Sequence, residues 1–122
     1  MTTPKQKIGA IGEALAQAHL KRNGYDIVAL NWRCKHGEID IVARASNGIL
    51  AFCEVKTRKG TNVEDAQLNF TERKRSRLLA TIYAYLSEQC LPDEGWRVDL
   101  IAIALPYDAD PILEHTENCL EW

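Results

Sequence analysis

No apolar run in this sequence approaches the ~18 residues that a membrane-spanning helix needs; the longest extends only from Leu100 to Pro106. A secretory leader is not expected either, because Glu13 interrupts the mildly apolar stretch after Lys7 and no small-residue cleavage site follows. Low-complexity tracts and fixed-period repeats are absent, which excludes a solenoid. The four cysteines, Cys34, Cys53, Cys90 and Cys119, form no CxxC pair. In a chain that can build its own core they read as reduced thiols, and Cys34-Lys35-His36 reads as an incomplete zinc half-site that no second pair completes. These absences point to a cytoplasmic protein with no membrane partner.

The 122 residues are 46% hydrophobic and 26% charged, which suits one domain with a single core. That domain is expected over residues 1–122, with its core at about 7–105 and an acidic tail at 106–122. The net charge of −2 conceals an asymmetry. Residues 1–53 carry seven Lys/Arg against four Asp/Glu, and residues 54–77 repeat that count. From Asp93 onward eight acids face Arg97 alone. Blanket coating of nucleic acid is excluded, while a basic face is allowed.

Apolar spacing predicts a first helix from about Lys7 to Arg22, ended by Asn23-Gly24. A strand follows from Tyr25 to Asn31. Gly37–Ala45 and Ile49–Arg58 read as a hairpin around Ser46-Asn47-Gly48, a connection that suits a type I turn, a left-handed glycine and a bulge. This loop predicts pairs whose numbers sum to 94. One face, with Ile39, Ile41, Ala43, Ala51, Cys53 and Val55, is then wholly apolar and must be buried. The other runs from Val42/Phe52 into Asp40/Glu54 and Glu38/Lys56. Residues 59–70 read as a polar loop, and Thr71 as the N-cap of a second helix reaching Gln89. Val98–Leu105 is a further strand, and the tail allows a last one near Ile112–His115.

Asp40 opposite Glu54 would place two carboxylates about 5 Å apart at Cβ, a repulsion that a divalent cation relieves. Lys56 projects from the same strand face as Glu54 and can stabilise charge building on a phosphate. Taken alone, Glu-x-Lys reads as a cross-strand salt bridge between Glu38 and Lys56 on a solvated face. The conjunction with Asp40, the basic run and the helix–strand order favours chemistry. His19 reads as a packing or surface histidine. Trp32, Trp96 and Trp122 read as core or interface anchors in preference to base-stacking platforms.

Gly9-Ala10-Ile11-Gly12-Glu13, Asn31 to Arg33, Gly37-Glu38-Ile39-Asp40 and Phe52 to Arg58 together resemble the YraN-like bacterial family. That family is similar to Holliday-junction resolvases within the PD-(D/E)XK, or restriction-endonuclease-like, superfamily. The resemblance spans about Lys7 to Leu105, with a weaker echo at His115 to Asn118. It implies an α/β fold with an αβββαβ core, a central mixed sheet flanked by helices. It also implies Asp40, Glu54 and Glu13 as ligands of Mg²⁺ or Mn²⁺, with Lys56 as the catalytic lysine. Ile39 stands where the superfamily's namesake motif has proline. Arg58, Arg73, Lys74 and Arg77 are the residues expected on DNA phosphates. The activity implied is metal-dependent hydrolysis of phosphodiester bonds in structured or branched DNA, and a homodimer would suit an enzyme that cuts two strands. The alternative is a non-catalytic domain of the same fold that binds nucleic acid or protein. In a third reading the acidic tail docks a basic protein partner.

Overall fold

Thr3 opens the first helix earlier than apolar spacing suggests. Its hydroxyl accepts the Gln6 N–H at 3.1 Å while the Gln6 side chain accepts the Thr3 N–H at 2.9 Å, and Pro4 fits the first helical position. The computed structural model describes residues 2–63 and 71–120. Within them the chain forms α1 (Pro4–Arg22), β1 (Asp26–Cys34), β2 (Gly37–Arg44), β3 (Leu50–Lys59), α2 (Glu72–Glu88), β4 (Trp96–Leu105) and β5 (Ile112–Thr116). Most of the expected 59–70 loop, and Trp122, lie outside the described residues. Thr71 caps α2 as expected, accepting the Lys74 N–H at 3.2 Å.

The five strands form one mixed sheet in the order β1-β2-β3-β4-β5. All neighbouring pairs are antiparallel except β3 with β4, which α2 joins by a crossover. The helices cover the sheet, which is the α/β arrangement with an αβββαβ core, extended by β5. Between β2 and β3 the Gly48 N–H reaches the Ala45 carbonyl at 2.9 Å, and Gly48 has φ +90°. This turn produces the predicted register for Ile41/Cys53, Val42/Phe52, Ala43/Ala51 and Arg44/Leu50.

On the α1 side, Ala16 and Leu20 pack with Ile41, Ala43, Cys53 and Ile101. On the α2 side, Leu78, Ile82 and Tyr85 pack with Val42, Phe52 and Val98. Phe52, 1% exposed, contributes on the order of 1.5–3 kcal/mol by its burial. Ile39 departs from the expected face: it joins the α2-side cluster with Val42, not Ile41. Alternation therefore breaks at Asp40. Trp32 and Trp96 are partly buried anchors, stacked edge-on against Tyr85 and Phe52.

Part of the acidic C-terminal stretch, β5 and Asn118, packs against β4. Asp99, fully buried on β4, accepts from Arg97 Nε at 2.9 Å and from the Asn118 N–H at 3.0 Å, and lies 2.8 Å from His115 Nε2. His115 Nδ1 lies 3.0 Å from His19 Nε2, and Arg97 also donates to the Tyr25 hydroxyl at 2.6 Å. His19 is thus a packing residue that ties α1 to β5. Among the described residues, no helix is long and apolar enough to cross a membrane.

Candidate active site

β2 and β3 stay paired from their turn only as far as Ile41/Cys53. Beyond it, β2 follows β1 to Gly37/Cys34 and β3 follows β4 to Lys59/Leu105. The sheet therefore forks, and Asp40 stands at the crotch. Its Oδ2 accepts the Val55 N–H at 2.8 Å, taking the place of a ladder carbonyl that the fork has removed. Across from Asp40 on β1, Asn31 adopts φ +50°, the left-handed region that asparagine tolerates better than most residues. The expected ladder pairing of Asp40 with Glu54, and of Glu38 with Lys56, does not form. Glu38 instead meets Arg33 Nε at 3.3 Å.

Asp40 and Glu54 nevertheless come together. Burial, the negative charge of Asp40 and a hydrogen bond to it push the Glu54 carboxyl up to about 8, against the pull of Lys56. Glu13 reaches the same place from α1. That helix lies close over β3 because residue 12 is glycine; a Cβ there would stand 2.9 Å from Thr57 Cβ. Burial and Asp40 raise the Glu13 carboxyl, Asn31 opposes them, and Glu13 Oε1 is buried without a hydrogen-bond partner among the described residues.

Two cavities meet at the fork, sharing Asp40, Val55 and Lys56. The one toward α1, about 530 Å³, adds Lys5, Gly9, Glu13, Arg58 and Lys59. The one toward α2, about 400 Å³, adds Glu38, Glu54, Lys74 and Arg77. Of the sequence-predicted residues, Asp40, Glu54, Lys56, Glu13, Arg58, Lys74 and Arg77 are thus gathered here, whereas Arg73 lines neither cavity. Sequence reasoning missed Asn31, Lys5 and Lys59. The turn-forming tendency of asparagine was the available signal for Asn31; the two lysines carried none beyond their charge.

Among the described residues, no three His, Cys, Asp or Glu side chains close to metal-ligand spacing. The donor chemistry still suits a hard divalent cation: hard oxygen donors, two carboxyls with raised pKa, and an orphaned Glu13 oxygen. A cation would relieve what burial and the nearby charge of Asp40 impose on Glu13 and Glu54.

Comparison with known proteins gives a consistent family and no activity. The profile of an uncharacterised protein family, UPF0102, matches residues 12–103. A UPF0102 protein of Chloroflexus aurantiacus is 47% identical over 104 residues, covering 84% of this chain and 83% of the relative. One from Roseiflexus castenholzii is 41% identical over 123 residues, covering 99% and 98%. One from Nocardia farcinica is 40% identical over 113 residues, covering 91% and 87%. Among solved structures, Pyrococcus furiosus SfsA in complex with Ca²⁺ matches with a TM-score of 0.36 at 12% identity. That match covers 93% of this chain and 63% of the other, and is too distant to bear on the site.

Proposed function

From the premise that this chain belongs to the uncharacterised protein family UPF0102, whose name assigns no chemistry, we propose that it is a metal-dependent endonuclease. It hydrolyses phosphodiester bonds in structured or branched DNA, with Mg²⁺ or Mn²⁺. The observation that carries this reading is the fork. There two carboxylates are forced together, Lys56 stands on the same strand, and cation-lined cavities open on both sides.

Asp40, Glu54 and Glu13 would hold the ion, which supplies Lewis acidity toward a phosphate oxygen and the attacking water. Lys56 places its side-chain Nζ where the phosphate gains charge in the transition state. Lys74, Arg77 and Arg58 hold flanking phosphates, so binding weakens as salt rises. Removing one such transition-state donor typically costs about 10²–10³ in rate.

The test is a cleavage screen over duplex, single-stranded, flap and four-way DNA with Mg²⁺ and Mn²⁺, wild type beside Lys56→Ala. The expected variant binds metal and DNA like wild type but cuts at least about a hundredfold more slowly. Cleavage unaffected by Lys56→Ala would assign the activity to another site or a contaminant. DNA binding without cleavage would leave the non-catalytic binding domain.

A further inference from the structure

Glycine is the poorest helix former after proline, yet α1 carries two, Gly9 and Gly12. Gly12 is explained by packing, because a Cβ there would collide with Thr57. Gly9 has no such explanation. Among the described residues a Cβ at position 9 meets nothing within 4 Å, so the fold would accept, and the helix would prefer, a larger residue. Gly9 instead lines the α1-side cavity, one turn from Lys5. The opposite wall of that cavity carries Arg58 and Lys59 at the end of β3. Among the described residues, neither Lys5 nor Lys59 has an ion-pair partner. A cation-rimmed cavity that runs into Asp40 and Lys56, with one wall of uncovered helix backbone, has the shape and charge for a polyanion continuing past the reacting bond.

We propose that this cavity is a subsite for the nucleotide next to the bond being cut, with Gly9 kept bare so that a single strand can lie against α1. Lys5, Arg58 and Lys59 meet its phosphate. The α2-side cavity, with Lys74 and Arg77, receives the strand on the other side of the fork. The class of substrate is a nucleic acid single-stranded at the site, such as a flap or a branch-point arm. Asp40 sits where the two cavities join, so the strand passes over it without needing a paired partner. This inference rests on the phosphodiesterase reading of the fork, but its binding part can be tested apart from hydrolysis.

The test compares wild type, Gly9→Leu and the double variant Lys5→Gln/Lys59→Gln. Binding of a short fluorescein-labelled single-stranded oligodeoxynucleotide is read by anisotropy without added metal, and cleavage of the same oligonucleotide with Mn²⁺. Gly9→Leu is expected to melt at or above the wild-type temperature, yet to weaken binding, and to raise KM, by about tenfold or more. The lysine double variant is expected to lower the salt dependence of binding by up to about two phosphate contacts. If Gly9→Leu binds and cuts like wild type, or the lysine variant keeps the full salt dependence, the subsite is overturned while the phosphodiesterase reading stands. If wild type binds but does not cut and Gly9→Leu loses binding, the subsite stands and hydrolysis falls. If wild type binds no oligonucleotide, both fall.

Discussion

Glu54 keeps its proton to about 8 because it is buried beside Asp40, whereas an ordinary glutamate releases it near 4.5. Between these values the folded state binds more protons than the unfolded state, so stability falls as pH rises through the window. The melting temperature of the metal-free protein is therefore expected to decline from about pH 5 to about pH 8, with Glu54→Gln flattening the decline. A wild-type curve already flat across that range would mean the pair shares no proton. Cation binding replaces the shared proton, so Mn²⁺ should raise the wild-type melting temperature by mass action, more at about pH 8 than at about pH 5. Asp40→Asn should stabilise the metal-free protein slightly, abolish the Mn²⁺ shift, and remove Mn²⁺ binding in calorimetry. That Asp40, Glu54 and Lys56 lie near one another was legible in the sequence, because the hairpin sets β2 and β3 side by side. Their true relation was not, since a side chain that substitutes for a ladder carbonyl leaves no trace in spacing.

The same boundary runs through the elements. The β2–β3 register was readable because a three-residue turn ending in Gly48 fixes it, and it persists until Ile41/Cys53. The fork beyond is set by partners distant in sequence, β1 holding one strand and β4 the other, and local pattern cannot show that competition. Ile39 was misplaced for this reason. Helix ends were readable where caps announce them: Thr71 was seen, and Thr3 was missed because the apolar stripe starts after it. The α1–β3 contact gives a prediction at this scale. Gly12→Ala puts a methyl into Thr57 and must push α1 off the sheet, an overpacking cost of about 1–3 kcal/mol by urea denaturation. Adding Thr57→Ala should recover only part of that loss, because Thr57 Cβ itself would lie 2.9 Å away. A neutral Gly12→Ala would mean that the helix sits more loosely than drawn, and Glu13 with it.

Across the whole molecule the charge asymmetry seen in the sequence is divided in space. Lys5, Lys56, Arg58, Lys59, Lys74 and Arg77 surround the fork, while His115 and Asn118 of the acidic C-terminal stretch close on Asp99 in β4. Asp99 was visible only as a polar interruption in an apolar strand, because two of the groups that satisfy it, His115 and the Asn118 N–H, come from β5 and the residues after it, with only Arg97 beside it on β4. Burial raises its carboxyl, but hydrogen bonds from His115, Arg97 and Asn118 outweigh that and hold it below the ordinary value of 3.8. A depressed folded pKa stabilises above the unfolded value and is lost as pH falls through the folded one, so this anchor persists at mildly acidic pH. Asp99→Ala leaves the Arg97 guanidinium, 15% exposed, without its buried partner. Breaking such a pair costs about 3–5 kcal/mol, enough to lower the melting temperature steeply. Asp99→Asn keeps the acceptor but loses the charge, and should fall between. Because Asp99 lines neither cavity at the fork, Mn²⁺ affinity measured below the melting transition should be unchanged in both variants. If affinity falls together with stability, the β4–β5 anchor also positions the carboxylates of the fork, and the division between a structural acidic end and a chemical basic one is wrong.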